Sequence, residues 1–291
     1  MPHSAILNVM IKAAYRAGKS LKRDLGEVEN LQVSLKGPAN FVCAADRRAE
    51  EIVREELFKA RPDYGFLGEE GGARAGTDKT HRWIVDPLDG TTNFLHGVPH
   101  FAVSIALERN DAIVAALTYN PANDELFVAE RGKGAFLNNR RIRVAARRRL
   151  AESIVACGLP HHGRGDLVLA RHEIAAAQAH YAGLRRFGAA TLDLAWVAAG
   201  RFDAYWERDL SPWDLAAGIL IVREAGGFVS DLDSGDAILS KGHIAAGNET
   251  MHRELLRLMQ EAGKEAARHA GRDETGDLPI ARANQAQSSQ P

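Results

Sequence analysis

The chain has 291 residues, 45% of them hydrophobic and 26% charged, with a formal net charge of −1. That is the composition of a water-soluble globular protein, and it supplies no global field toward nucleic acid or anionic membrane. Two cysteines, Cys43 and Cys157, lie far apart and form no CxxC, which argues against a disulfide framework or a thiolate zinc site. The N-terminus has no apolar core of signal-peptide length, and no stretch approaches the ~20 apolar residues of a membrane span. The expected setting is cytoplasmic.

Helical spacing of Ile6, Leu7, Met10, Ile11, Ala14, Leu21 and Leu25 predicts an amphipathic helix over 4–25. "LQVSL" (31–35) alternates as a strand. A second helix is expected from Asp46, as its N-cap, to Pro62. "YGFL" (64–67) is a short strand with Glu69 and Glu70 past its end. "RWIVD" (82–86) is a strand stopped by Pro87. "HFAVSIALE" and "AIVAALTYN" around Asn110-Asp111 form a hairpin, and "DELFVAE" and "GAFLNNRRIRV" continue the sheet.

The pattern changes near 150. Strands are expected at "SIVACG", "FDAYWE", "FVSDL" and "HIAAGN". Helices are expected at 166–180, "TLDLAWVAAG", "WDLAAGILIVREAGG" and "ETMHRELLRLMQEAG". This gives an N-terminal α+β half (1–147) with a largely antiparallel sheet, a C-terminal α/β half (148–265), and a polar tail (266–291) read as disordered.

The chemistry concentrates in "RWIVDPLDGTTNF". Asp86 and Asp89 would be brought together by the turn at Pro87. Adjacent carboxylates repel unless they share a cation or a proton, and hard divalent cations favour such oxygens. The carbonyl of Leu88 adds another. Gly90, Thr91 and Thr92 read as a helix start, whose free N–H groups attract anions. A cation beside an anion pocket points to phosphate. Glu69 adds a carboxylate. Downstream, Pro212 places Asp214 in the first turn of a helix, where the dipole alone would favour an acid. Asp214 could complete a two-metal site.

"WIVDPLDGTTNF" with "GEE" before it and "PWDLAAGILIVREAGG" after it resembles the inositol monophosphatase family. The likeness spans roughly 5–262 and includes "GVPHFAVSIAL", "GKGAFLNNRRIRV" and "LDLAWVAAGRFDAYWE" in family order. It implies a layered α-β-α-β-α sandwich of the inositol monophosphatase / fructose-1,6-bisphosphatase type. It also implies a magnesium-dependent phosphomonoesterase with two to three Mg2+ per site, in which metal-activated water attacks phosphorus in line.

By resemblance, Glu69, Asp86 and the Leu88 carbonyl hold the first magnesium, and Asp86, Asp89 and Asp214 the second. Gly90 and Thr91 grip phosphate, and Thr91 with Asp46 orients the water. Asp89, Glu207, Gly188, Ala189 and Ala190 meet the substrate, and Lys36 sits on a mobile loop. Asn40 replaces an acid of many members, and Ala189 a hydroxyl of some. Lithium inhibition and a homodimer also follow from the likeness.

The leading substrate is inositol monophosphate. Alternatives are fructose 1,6-bisphosphate, histidinol phosphate or another sugar or polyol phosphate. A rival of another class rests on Arg140, Arg141, Arg143, Arg147, Arg148 and Arg149, which could bind RNA or an acidic protein surface; the resemblance adds a role in a transcription complex. The reading preferred for them is a charged, solvated hairpin edge. "GKG" (132–134) reads as a hairpin turn, His161-His162 as exposed loop, and Trp196, Trp206 and Trp213 as packing.

Overall fold

The computed structural model describes residues 3–25, 33–37, 40–160 and 165–273; for 33–37, 40–43 and 270–273 it describes the backbone only. Helix α1 (Ala5–Leu25) buries Leu7, Met10, Ala13, Ala14, Ala17 and Leu21 along one face, as its periodicity predicts. Strands β1 (Val33–Gly37) and β2 (Asn40–Cys43) form a separate antiparallel pair. Helix α2 (Ala44–Ala60) follows, so Asp46 lies within its first turn rather than at its N-cap.

Eight strands form the first sheet: β3 (Gly65–Gly68), β4 (Gly72–Arg74), β5 (His81–Asp89), β6 (Ala102–Arg109), β7 (Ala112–Asn120), β8 (Glu125–Glu130), β9 (Gly134–Leu137) and β10 (Arg140–Arg141). Their order is β10-β9-β8-β7-β6-β5-β3-β4. All pairs are antiparallel except β3 with β5. Asn110 and Asp111 both take positive φ between β6 and β7, the twist-matching turn that such residues favour. Between β5 and β6 comes the short helix α3 (Thr91–Leu95).

The second sheet begins after the twelve residues 142–153. It comprises β11 (Ile154–Cys157), β12 (Gly183–Arg185), β13 (Ala204–Glu207), β14 (Phe228–Ser230) and β15 (Ile244–Gly247), in the order β12-β11-β13-β15-β14. Helices α4 (Leu167–His180), α5 (Ala190–Ala198), α6 (Pro212–Glu224), α7 (Ile238–Lys241) and α8 (Glu249–Asp273) accompany it. The expected helix at the chain's end therefore runs past the 266 boundary to Asp273, with Ala266 still buried. Residues 274–291 lie outside the described ones.

Three apolar clusters define five layers. One joins α1 and α2 to one face of the first sheet. The second joins its other face to α5 and α6 and to the inner face of the second sheet. The third covers the outer face of the second sheet with α4 and α8. The expected α-β-α-β-α sandwich is the observed one. Helix α6 lies between two sheets, which is why Leu215–Val222 is apolar or small on every side and wholly buried. Its Gly218 lets α5 approach: a Cβ there would stand 2.4 Å from Leu194 Cδ1 and 2.7 Å from Leu194 Cβ. Gly218→Ala is accordingly expected to cost about 1–3 kcal/mol, read as a lower midpoint in denaturant unfolding.

The "GKG" turn does bind an anion, but an internal one. The N–H groups of Gly132 and Gly134 both donate to the Glu224 carboxylate at 2.7 Å. This ties the far end of α6 to the first sheet. Of the arginine segment, Arg140 and Arg141 sit on the exposed edge strand β10. Arg147 pairs with buried Asp203, and Arg149 with Glu152. Trp196 packs on His100, Phe187 and Phe202, and Trp206 donates to Glu173. Cys157 is a buried free thiol. His161 and His162 lie outside the described residues. Among the described residues no helix is long and apolar enough to cross a membrane.

Candidate active site

Strand β5 does not stop at Pro87. It continues to Asp89, and its register against β6 shifts: Asp86 faces Ser104 but Asp89 faces Ala102. One extra residue is thus accommodated on β5, a β-bulge. Proline suits it because a bulged residue need not donate to the ladder. The bulge changes the facing of the two acids, which strict alternation would set on opposite faces.

Asp86, Asp89 and Asp214 each present an oxygen within 4.8 Å of the others. Asp86 is buried, and Asp89 and Asp214 are half-buried. One oxygen of each is fixed by its scaffold. Asp86 Oδ1 accepts from Leu88 N at 2.9 Å. Asp89 Oδ2 accepts from Thr191 N at 2.7 Å and Thr191 Oγ1 at 2.6 Å, at the start of α5. Asp214 Oδ2 accepts from Ser211 N at 2.8 Å in a capping box that opens α6.

The electrostatics show a convergence of like charge. Burial, then the charge of Glu69 and those of Asp89 and Asp214, hold Asp86 well above the usual carboxylate range. Asp214 is raised by burial and then by Asp89. Asp89 is pushed up to about 6 by burial, against the two Thr191 hydrogen bonds. Glu69 stands outside the close triad, yet it is the strongest neighbouring charge on Asp86. An all-oxygen, multiply acidic set of this kind fits a hard divalent cation, whose charge removes the repulsion.

Gly90 takes φ 85, and a Cβ there would meet the His100 carbonyl oxygen at 2.9 Å, so the turn after Asp89 requires glycine. Thr91 opens α3, and its hydroxyl donates to the Leu88 carbonyl at 2.9 Å; Asp46 Oδ2 lies 3.4 Å from that same hydroxyl. Asp46, Leu88 and Thr91 are therefore neighbours, as expected. Lys36 differs: its backbone belongs to β1 rather than to a loop, and its side chain lies outside the described ones.

On the second-half side, Ala189 is fully buried and 3.2 Å from the position a Gly90 Cβ would take, so it packs beneath that turn. Gly188 precedes it with φ 81, and Ala190 begins α5. Glu207 ends β13 and is pushed up to about 8, by burial first and by Asp193 and Asp89 beyond the opposing bond from the Tyr205 hydroxyl. Glu207 and Asp214 share a pocket of about 90 Å³ with Gly158 and Trp206. No local sequence pattern marks Thr191, because its partner Asp89 is 102 residues away.

The inositol monophosphatase family matches residues 3–264. The chain belongs to that family. With relatives named inositol-1-monophosphatase at 54–60% identity, this protein is a phosphoric monoester hydrolase. It is 60% identical over 264 residues to the inositol-1-monophosphatase of Rhizobium meliloti, covering 89% of this chain and 98% of that one. It is 43% identical over 259 residues to the Nus factor SuhB of Pseudomonas aeruginosa, covering 88% and 96%. The crystal structure of the extragenic suppressor protein suhB from Bartonella henselae superposes with a TM-score of 0.86 at 58% identity, over 88% of this chain and 98% of that one.

Proposed function

We propose that this family member is a magnesium-dependent hydrolase of inositol monophosphate, with its site at the junction of an N-terminal and a C-terminal half. The observation that carries the reading is the convergence of Asp86 and Asp89 with Asp214, beside the Gly90–Thr91 turn. The identity to the Rhizobium inositol-1-monophosphatase supports the substrate class.

Asp86, Asp89, Asp214, Glu69 and the Leu88 carbonyl would hold two to three Mg2+. Bound there, the ions would supply Lewis acidity toward the phosphoryl oxygens and activate water for in-line attack. The chain's own residues do the rest. Asp46 and the Thr91 hydroxyl form a short relay that orients the attacking water and takes its proton. The N–H groups of Gly90 and Thr91 would bind phosphate. Glu207 would receive substrate hydroxyls, with Gly188, Ala189 and Ala190 on the same side of the substrate. A homodimer, lithium inhibition and a cytoplasmic setting belong to the same reading.

Phosphate release with and without Mg2+ from inositol, fructose, histidinol and nucleotide phosphates tests it. Fastest release from inositol monophosphate is expected; a preference for another ester transfers the site to that substrate, and no Mg2+-dependent release removes the metal-hydrolase reading. Thr191→Val tests the support of Asp89. It keeps the backbone donor and removes the hydroxyl, and a roughly 10- to 100-fold weaker apparent Mg2+ affinity is expected. The RNA-binding alternative is not favoured, because Arg147 and Arg149 are engaged with Asp203 and Glu152.

A further inference from the structure

Glu50 is a buried carboxylate held by two backbone N–H groups of the turn that carries Glu69. It lies on α2 and is buried, with 4% of its surface exposed. Its Oε2 accepts from Glu70 N at 2.8 Å and its Oε1 from Gly71 N at 2.7 Å. The turn that follows β3 is therefore wrapped around one carboxylate. Two glycines make room for it: a Cβ on Gly68 would lie 2.5 Å from Glu50 Oε2, and one on Gly71 would lie 2.5 Å from Oε1. Glu69 is the residue between the glycine at the end of β3 and these two gripped N–H groups.

Helix α2 holds this turn at a second point, where Arg47 pairs with Glu70 at 3.5 Å. Asp46, at the same end of α2, approaches the Thr91 hydroxyl. Asp46 and Glu50 are four apart and share a helix face. One rigid helix thus addresses both the Glu69 turn and the Thr91 turn.

We propose that Glu50 is a positioning residue for the metal site: its carboxylate fixes the 68–71 turn and thereby sets where the Glu69 carboxylate stands relative to Asp86, Asp89 and Asp214. The inference rests on the metal-site reading above. Glutamine at position 50 would keep one acceptor and turn an amide N–H toward a backbone N–H, so one of the two bonds is lost and a donor faces a donor. Alanine at position 71 attacks the same contact from the other side, and Gly71 has no positive φ to forbid it. Glu56 is the control. It lies on the same helix, is buried, and pairs with Lys12 at 2.7 Å and with Arg16.

Two readouts are required: the Mg2+ concentration at half-maximal thermal stabilisation, and the same quantity for phosphate release from inositol monophosphate. Glu50→Gln and Gly71→Ala are expected to raise both roughly 10-fold or more, with kcat at saturating Mg2+ within about threefold of wild type. Glu56→Gln is expected to lower Tm and leave both Mg2+ values unchanged. Wild-type Mg2+ values in Glu50→Gln and Gly71→Ala would overturn the proposal, as would an equal shift in Glu56→Gln, which would mark a general loss of stability. If Glu50→Gln does not fold, Gly71→Ala decides. A wild-type protein indifferent to Mg2+ in both readouts overturns the metal-site reading itself, and with it this inference.

Discussion

Asp214→Asn is expected to lower phosphate release by roughly 10³-fold or more, and at the same time to make the ion-free protein more heat-stable. The two effects have one cause. Asp214 stands beside Asp86 and Asp89, and burial, then the charges of Asp89, Glu69 and Glu207, raise its pKa well above the ordinary range. Each added charge in that space costs folding free energy unless a cation compensates. The amide is neutral and nearly the same shape, and its carbonyl oxygen can still accept from Ser211 N in the capping box. Repulsion is relieved while a cation ligand is weakened. Tm without Mg2+ should rise, and the increase in Tm on adding Mg2+ should shrink. Calorimetric scans of both proteins with chelator and with excess Mg2+ check this. A variant that loses activity but unfolds earlier without metal would assign Asp214 a packing role instead.

The ion-free wild-type protein is expected to lose several degrees of Tm between pH 5 and pH 8, and saturating Mg2+ should remove most of that loss. The sign follows from the direction of the shifts. Asp86, Asp89 and Asp214 have folded-state pKa values above those of the unfolded chain, Asp89 at about 6. The native state then binds more protons than the unfolded state across that window. Its stability is greatest near the unfolded value, about 4, and falls as pH rises through the folded values. Mg2+ binds the ionised form of the native state only, so it stabilises most where the ion-free protein is weakest. Chelation should therefore destabilise more at pH 8 than at pH 5. The opposite order would show that these carboxylates are stabilised as anions by the protein alone.

Much of the site was legible because its signals are local. Asp86, Leu88, Asp89, Gly90 and Thr91 lie within six consecutive residues, and Asp214 is marked by Pro212 and the small residues behind it. The two halves are legible because strand and helix periods switch cleanly near residue 150; the five layers follow from the family likeness. What escaped depends on partners distant in the chain. The strand was expected to end at Pro87, but β6 offers one fewer residue opposite, and a bulge carries the pairing on to Asp89. Thr191 and Glu50 carry no motif, because the groups they hold lie 102 and 20 residues away. The cap position of Asp46 also differs: acids favour an N-cap, but α2 begins two residues earlier at Ala44, and only the resemblance, not the local pattern, pairs Asp46 with Thr91. The tail boundary missed because "EAARHAGRD" lacks a strong apolar period, yet its alanines suit a helix and Ala266 remains buried.

The central claim is that Asp214, on α6, completes a cation site with Asp86 and Asp89 on β5. Anomalous diffraction from a crystal soaked in Mn2+, a divalent stand-in that also prefers carboxylate oxygen, tests it most directly. The account predicts an anomalous peak within about 2.0–2.4 Å of an oxygen from each of the three aspartates. A Mn2+-activated enzyme whose peaks all lie away from Asp214 would contradict it.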